Sequence, residues 1–498
     1  MSVLSGLGRA FIGLFVGVLI VLGPGSGGAL AQEQGDELDH PAIDRYVEDE
    51  MAKNRVPGLA VAITRGDEIL YLKGYGTAGD ERPMTPQTRF YTASLSKSFT
   101  ALAVMQLVEE GKIELDEPVQ TYLPEFTTSD PDAAARITVR HLLNQTSGLS
   151  DSGFPAYTLP QPGSIEERVE SLRDARPVAE PGTEFHYFNP NYEVLAAVVE
   201  KASGELFSDY LQTNVFSPLR MNDTTNVVTS AETSRVAPGL AQGHILAFGV
   251  PIPREELDGF LGGSGGVIST AEDMASYLIM QNNGGRFDDR ELVDPENLAL
   301  MHTPPQRLES PYAMGWLVDP AGDPRVVEHN GVLSTFHTDM ALLPDEGYGI
   351  VLLYNQSYAL ADYEGIKRGL IDLLLDERPE SGGPDAGTVG IILAALMLTT
   401  TALQVRSLLK LRGWARKTRD RSLWFLGPGI LWKFFPAALL VGLQPLVGFF
   451  AGRVFSYRQL FLAMPEVVIW LAVGTLLGTI AGTARILALA RRSSETHR

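Results

Sequence analysis

Three long apolar stretches near the end of the chain constrain its fold most strongly. They carry no charged residue and lie near 389–405, 434–452 and 467–484. Each is close to the ~20 residues that a helix needs to cross a bilayer. We therefore expect three transmembrane helices and a lipid bilayer as a partner, with buried helices of a soluble domain as the alternative. Pro436 and Pro445 in the second stretch predict kinks, because membrane helices tolerate proline.

Positive charges are distributed unevenly around these stretches. Seven lysines and arginines lie in 406–421, and further arginines follow the third stretch. The loop between the second and third stretches holds only Arg453 and Arg458. The positive-inside rule places the basic segment and the C-terminus in the cytoplasm. This predicts a multi-pass protein of the cell membrane whose body is extracytoplasmic, either extracellular or periplasmic.

The first 31 residues are typical of a secretory signal peptide. Arg9 supplies a positive charge, Ala10–Leu22 is apolar, and Ala29–Ala31 has the A-x-A form of a cleavage site. An uncleaved anchor helix is the alternative. Either interpretation sends the body of the chain across the membrane.

The rest of the chain divides by composition into a body at 32–378, a Pro/Gly linker at 379–387 and a membrane region at 388–498. Residues 32–386 carry 25 Lys+Arg and 57 Asp+Glu, a charge that argues against nucleic acid as a partner. The chain has no cysteine, which excludes a disulfide framework, a thiol nucleophile and a cysteine zinc site. The eight histidines are scattered, so we expect no metal and no cofactor.

Strand patterns occur at both ends of the body, and helical patterns lie mostly between them. Alternation and turn residues predict hairpins at 59–73 and 338–354. Helical spacing is found at 96–111, 192–203 and 365–376, and Ser269–Glu272 has the form of a capping box that opens another helix. The prediction is an α/β (α+β) fold. An antiparallel sheet places the two hairpins side by side, helices flank it, and a helical subdomain is inserted.

Ser94 and Lys97 form the first candidate chemical motif. Three residues apart at a helix start, they share one face about one turn apart. Backbone N–H groups at a helix start lack internal partners, so the Ser94 N–H is available to a developing oxyanion. Burial and the positive helix end are expected to lower the pKa of Lys97 and let it accept a proton. An ordinary helix start is the alternative, and Ser96 is excluded because Phe99 stands where a lysine is needed.

Two further motifs follow. Tyr187 and Asn189 precede Pro190 on a predicted loop. A phenol near an ammonium is expected to titrate lower and to serve as general acid or base, although a structural tyrosine and an asparagine cap are the alternative.

The third motif is His329–Gly331, followed by Val332. Gly331 allows the backbone to approach a ligand closely, and a strand edge here offers the Val332 N–H as a second oxyanion donor. His337 lies near this motif in the sequence. It could line the site, and a structural role is an equally good alternative.

Together the three motifs resemble those of the serine β-lactamase and penicillin-binding-protein superfamily, above all its class C branch with the related DD-peptidases and esterases. That family has S-x-x-K, Y-x-N and K-T-G, the last often H-x-G in relatives that are not β-lactamases. The order matches, as do gaps of about 90 and about 140 residues. The resemblance covers about residues 40–376 and includes four further stretches, at 57–58, 138–149, 181–182 and 265–273. It implies a sheet flanked by helices, with the site where an α-helical subdomain meets it.

The resemblance also implies roles. Ser94 attacks a carbonyl, Lys97 and Tyr187 share its proton, and the Ser94 and Val332 N–H groups hold the oxyanion. A covalent acyl-enzyme then meets water, and Asn189 binds the substrate amide.

His329 departs from the family pattern, because class C β-lactamases place a permanent cation there. A neutral imidazole holds a β-lactam carboxylate less well. The sequence therefore favours a D-alanyl peptidase or carboxypeptidase, or an esterase, over an efficient β-lactamase. The expected substrate is a small molecule, a peptide or a cell-envelope component.

Two alternatives stay open. Gly262–Gly266 fits the G-x-S-x-G motif of α/β-hydrolases and would make Ser264 the nucleophile, although that motif needs a buried parallel strand before it and a helix directly after it. The other alternative is a non-catalytic binding or sensing ectodomain that has kept the fold.

Overall fold

The computed structural model of the chain describes residues 38–308, 310–379, 385–418 and 423–496. The predicted signal peptide at 1–31 and residues 380–384 of the predicted linker lie outside them. The strands of the described residues are β1 Gly58–Arg65, β2 Glu68–Gly79, β3 Arg82–Pro83, β4 Phe90–Tyr91, β5 Thr225–Asn226, β6 His244–Ala247, β7 Val250–Pro253, β8 Val267–Ser269, β9 Arg286–Phe287, β10 Arg290–Glu291, β11 Leu317–Asp319, β12 Val326–Val332, β13 His337–Leu343, β14 Tyr348–Tyr354 and β15 Gln356–Ser357.

The α-helices of the described residues are given next in chain order. They are α1 His40–Asn54, α2 Ser96–Glu109, α3 Pro131–Ala134, α4 Val139–Leu143, α5 Ile165–Ser171, α6 Asn189–Ser203, α7 Phe207–Leu211, α8 Thr233–Val236, α9 Ala271–Asn282, α10 Pro295–Met301, α11 Tyr363–Leu374, α12 Ala386–Leu409, α13 Leu411–Lys417, α14 Leu423–Leu431, α15 Phe435–Ala451, α16 Tyr457–Ala463 and α17 Pro465–Thr496.

A seven-stranded antiparallel sheet forms the centre of the body. Its order is β11-β12-β13-β14-β1-β2-β3. β1 pairs with β14, so that Leu59 lies opposite Tyr354 and Arg65 opposite Tyr348. This confirms that the first and last hairpins lie side by side.

Both faces of the central strands are buried. Because side chains alternate along a strand, Ile350 and Leu352 of β14 pack with α1 and α11, while Val351 and Leu353 face the core on the other side. Burial of this apolar surface is the main stabilising contribution to the fold. The prediction of a sheet flanked by helices is confirmed.

The chain between β3 and β11 forms the inserted, largely helical region. Its central helix, α2, is buried over most of its length, including the polar side chains of its first turns. α6 begins at Asn189, earlier than predicted, because Pro190 fits the first helical turn. The cap of α9 is Thr270, which accepts from the Asp273 N–H, and not Ser269 as predicted.

Among the residues that the structure describes, three helical segments are long and apolar enough to cross a membrane: Ala386–Leu409, Trp424–Ala451 and Pro465–Arg491. The second begins ten residues before the predicted stretch at 434, because a 3₁₀ turn at Trp432–Phe434 joins α14 to α15. Pro428 and Pro445 lie inside these helices.

The segment 452–466 follows α15 and includes α16 and the first two residues of α17. It lies against the body. The Ala359 N–H donates to the Ala463 oxygen at 2.9 Å, and the Phe248 N–H donates to the Glu466 carboxylate. The Val454 N–H donates to Asp151 at 3.4 Å. The body is therefore fixed to one end of the helical bundle at three separate points.

Candidate active site

Ser94 lies in a tight turn at the end of the strand region leading into α2. A 3₁₀ turn spans Ala93–Leu95 and runs directly into α2. Ala93 has a φ of 50°, a left-handed conformation that costs an L-residue roughly 1–2 kcal/mol. Strain of this kind is found where surrounding structure holds a reactive residue in place. Ser94 is partly exposed while its neighbours are buried, so its hydroxyl is accessible in an otherwise closed site.

Lys97 lies directly beside Ser94. Its Nζ donates to the Ser94 Oγ at 3.0 Å and to the Ser264 oxygen at 2.7 Å. The side chain is completely buried. Burial, and next the positive charge of Arg453, hold the pKa of Lys97 well below its usual range, while Glu193 opposes them. The amine is therefore suited to take the proton of Ser94.

Tyr187 completes the group, with its ring centre 5.0 Å from the Lys97 Nζ. The expected lowering of its pKa was wrong. Burial raises the pKa of the phenol, and the charge of Arg453 and a hydrogen bond with Ser94 only partly oppose this. Tyr187 is therefore a neutral phenol that can relay a proton, and not a phenolate base.

The third motif lies on the end of β12 against the Ser94 turn. A Cβ at Gly331 would lie 2.4 Å from the Thr92 oxygen and 3.0 Å from the Ala93 Cβ. Glycine is therefore required for this close approach. Within the described part of the chain, β11 pairs only with the first half of β12 and leaves the edge near Val332 unpaired on that side. Val332 is 42% exposed.

His329 is buried and neutral. Its Nδ1 lies 2.6 Å from the Asn330 oxygen, and its Nε2 lies 3.3 Å from the Tyr312 hydroxyl. Burial first, and then the charge of Lys97, lower the pKa of His329 to about 3. The side chain therefore carries no charge at neutral pH, as its departure from the family pattern predicted.

Asn189 lies at the first turn of α6, and not on a loop as predicted. It is buried, and within the described part of the chain its side-chain oxygen has no hydrogen-bond partner. A buried amide oxygen of this kind is costly unless a ligand satisfies it. Gln145 positions the segment, because its Oε1 accepts from the Phe188 N–H at 3.0 Å and from Asn191 at 2.7 Å.

Ser264 lies in the same region in a different role. Its hydroxyl donates to Glu193 at 2.9 Å, and Glu193 forms a buried ion pair with Arg168 at 2.6 Å. The preceding strand, β7, pairs antiparallel with β6, and the loop leads into β8, not a helix. The α/β-hydrolase alternative is therefore wrong, because its strand–turn–helix element is missing at this serine.

The structure adds a residue that the sequence did not assign to the site. Arg453, from the segment between α15 and α16, lies with its guanidinium carbon 5.3 Å from the Tyr187 ring centre and 5.2 Å from that of Tyr157. Its Nε donates to Asp151 at 3.4 Å. The sequence identified Arg453 only as a loop residue, because no local signal predicts its contact with Asp151, which lies 302 positions earlier.

The described residues contain no group of three or more His, Asp or Glu side chains arranged to hold a metal ion. His337 lies 3.1 Å from Asp339 and stacks on Tyr363 with ring centres 3.9 Å apart. These contacts favour a structural role for His337.

Comparison with known proteins identifies the family of the body. The family model described as Beta-lactamase matches residues 43–374. Protein flp of Staphylococcus aureus (strain MW2) is 27% identical over 318 residues, which cover 63% of this chain and 62% of flp. The chain thus matches less than two thirds of the length of that relative.

Two solved structures are similar in fold and sequence. The octameric penicillin-binding protein homologue from Pyrococcus abyssi is 28% identical with a TM-score of 0.59, covering 72% of this chain and 81% of that one. The penicillin-binding protein from Bacillus halodurans is 25% identical with a TM-score of 0.56, covering 66% and 98%.

Proposed function

Because the chain belongs to the Beta-lactamase family, we propose that it is a membrane-anchored serine hydrolase that forms an acyl-enzyme at Ser94. We place its body on the extracytoplasmic side and its C-terminus in the cytoplasm. Its activity is that of a D-alanyl peptidase or an esterase, and not that of an efficient β-lactamase. The observation that carries this proposal is the 3.0 Å contact between Ser94 Oγ and the fully buried Lys97 Nζ.

The proposed reaction begins with attack of the Ser94 oxygen on the acyl carbonyl. Lys97 takes the hydroxyl proton, which its lowered pKa favours. The Ser94 and Val332 N–H groups stabilise the oxyanion. Tyr187, a neutral phenol between Ser94 and the leaving group, passes a proton to that group as its bond to the carbonyl breaks.

Water then cleaves the Ser94 ester by the reverse sequence of proton transfers and releases the acid. Asn189 binds the substrate amide by accepting from its N–H through the otherwise unpaired side-chain oxygen. His329, being neutral, gives no ionic contact to a β-lactam carboxylate, which supports the proposal that the chain is not an efficient β-lactamase.

Mass spectrometry of the trapped acyl-enzyme tests this proposal. The folded full-length protein is incubated with a fluorophosphonate probe and with a panel of D-alanyl peptides, β-lactams and short esters. We expect an adduct on the peptide that contains Ser94, and no adduct in Ser94→Ala. An adduct on Ser264, or none at all in folded protein, would contradict the proposal, and the second result would favour a binding ectodomain.

A further inference from the structure

Arg453 joins the membrane helices to the catalytic cleft. It lies one residue after Gly452, which ends α15 in a left-handed conformation with φ 65°. Two hydrogen bonds to Asp151, from the Arg453 Nε and from the Val454 N–H, hold the segment against the body. Asp151 itself is 1% exposed. This arrangement brings a cation of the membrane region to the ring of Tyr187.

Arg453 keeps the capacity to bind a ligand. A guanidinium has five N–H donors. In the described structure the Arg453 Nε donates to Asp151, and Tyr157 is one further partner of the guanidinium. The side chain is 24% exposed and lines a cavity. Since His329 is neutral, Arg453 supplies a positive charge next to Tyr187 that the third motif does not.

The cavity lies between the body and the membrane helices and has a volume of about 440 Å³. One wall is the end of the oxyanion strand, with Asn330, Val332 and Leu333. The opposite wall comes from the ends of the membrane segments, with Val447, Met464 and Val467. A pocket of this size suits a small-molecule ligand or part of a lipid, and its apolar wall continues into helices that are long enough to cross a bilayer.

The positive charges around the cavity lie on its membrane side, at Arg453 and Arg458. The body side contributes five carboxylates. Four of them have partners within the protein: Glu256 accepts from Ser334 and Thr335, Asp339 contacts His337, Asp362 accepts from the Gly365 N–H, and Glu364 pairs with Lys367. The fifth, Asp258, is exposed. Arg453 is itself paired with Asp151 at 3.4 Å, so an anion in the cavity would use the guanidinium donors that Asp151 leaves free.

We propose that Arg453 anchors the substrate of the Ser94 site, and that the cavity takes an acyl ester of an anionic lipid whose lipid part is the leaving group. We place the anion on the leaving group because the Arg453 guanidinium lies over the ring of Tyr187, and Tyr187 is the residue that gives a proton to the leaving group. Ser94 Oγ bonds to the acyl carbon, the ester C–O bond breaks, and the lipid oxygen takes the proton. Water then releases the acid from Ser94. This inference rests on the proposed function and names its substrate class.

A bilayer-bound leaving group is favoured over a soluble one by the hydrophobic wall. The wall is as apolar as the bilayer itself, so the chains of a lipid can enter the cavity without being exposed to water. The released lipid returns to the bilayer along the helices and needs no separate exit.

The test uses the full-length protein in nanodiscs of zwitterionic lipid. Two matched substrates, palmitoyl-acetyl-phosphatidylglycerol and palmitoyl-acetyl-phosphatidylcholine, share their acyl chains and phosphodiester and differ in the headgroup alcohol, which leaves the first anionic and the second without net charge. Mass spectrometry of the released lysolipids gives the ratio of their kcat/KM values. We expect the wild type to favour the anionic lipid by about tenfold or more, since hydrogen bonds between charged groups are stronger than neutral ones.

Arg453→Gln should bring this ratio close to one, and Arg453→Lys should keep part of it. The ratio cancels any effect that Arg453 has through Lys97, because both lipids react with the same Ser94. Arg416→Gln removes a positive charge near the opposite end of the helices and should leave the ratio unchanged.

A wild-type ratio near one, or an equal ratio in Arg453→Gln, would overturn the inference. So would failure to cleave either lipid by protein that still hydrolyses p-nitrophenyl acetate through Ser94. Absence of any Ser94 adduct with the fluorophosphonate probe would instead refute the proposed function itself, so the two failures are distinguishable.

Discussion

The amine of Lys97 donates to the backbone oxygen of Ser264 at 2.7 Å, so the glycine-rich loop contributes to the site through its main chain. The hydroxyl of Ser264 points elsewhere, to Glu193 at 2.9 Å, and the residue is 2% exposed. A serine that resembles a nucleophile in sequence thus helps to orient the base of another serine. The contact of Lys97 with the Ser264 main chain does not depend on the side chain at 264. The roles of Ser94 and Ser264 can therefore be distinguished by mutation.

Ser94→Ala and Ser264→Ala should therefore behave differently. We expect Ser94→Ala to lower hydrolysis of p-nitrophenyl acetate by about 10³-fold or more, because no acyl-enzyme can form. Ser264→Ala should retain fluorophosphonate labelling and lose about 1–3 kcal/mol of stability, since Glu193 loses a buried donor. Labelling and thermal unfolding in detergent measure both effects. Loss of labelling in folded Ser264→Ala, with labelling kept in Ser94→Ala, would reverse the assignment.

The pH dependence of kcat/KM should report the titration of Lys97. Only the neutral amine accepts a proton, so activity should rise as pH rises through the pKa of Lys97 and then level off. Because the charge of Arg453 helps to lower that pKa, Arg453→Gln should raise it and move the rise in activity to higher pH. Profiles with p-nitrophenyl acetate measure the shift, with Arg416→Gln as the control of equal charge change. A shift to lower pH in Arg453→Gln would show that Arg453 does not act on Lys97 in this way.

A fixed cation at 329 should improve reaction with β-lactams. The pKa of His329 is lowered to about 3, so the imidazole is neutral across the physiological range and gives no ionic contact to a carboxylate. We expect His329→Lys to raise kcat/KM for a cephalosporin relative to its methyl ester by about tenfold, the equivalent of ~1.4 kcal/mol. His329→Gln controls for the change of shape, and circular dichroism checks folding. An unchanged ratio in folded His329→Lys would mean that the carboxylate binds elsewhere.

Local sequence patterns predicted the sheet and the first motif because their causes are local. The helical spacing of Ser94 and Lys97 fixes their mutual distance once α2 forms, and alternation in β1 and β14 fixes which side chains face the core. Element ends were less predictable: α6 begins at Asn189 because a proline is accepted in its first turn.

Properties set by packing could not be predicted in the same way. The expected low pKa of Tyr187 considered only a nearby ammonium, whereas burial of the phenol has the larger effect and raises the pKa. Arg453 reaches the site through the docking of a membrane segment on Asp151. That contact depends on the relative placement of two regions, and no periodicity or spacing encodes it.

The contact of Gly331 with the Ser94 turn gives the sharpest test of how the third motif is positioned. A Cβ there would lie 2.3 Å from the Thr338 Oγ1 and 2.4 Å from the Thr92 oxygen, so Gly331→Ala must push β12 away from the nucleophile. We expect a loss of about 1–3 kcal/mol in stability from overpacking. The acylation rate should fall by about 10²-fold or more, because displacement of β12 also moves the Val332 N–H from the oxyanion.

Stopped-flow acylation and thermal unfolding of the purified protein measure the two losses separately. Gly413→Ala, in α13, is the matched control, because a Cβ there meets no other atom within 4 Å and alanine favours the helix. It should keep full acylation and equal or greater stability. Normal acylation by Gly331→Ala would show that β12 does not supply an oxyanion donor, and the proposed pairing of Ser94 with Val332 would then have to be abandoned.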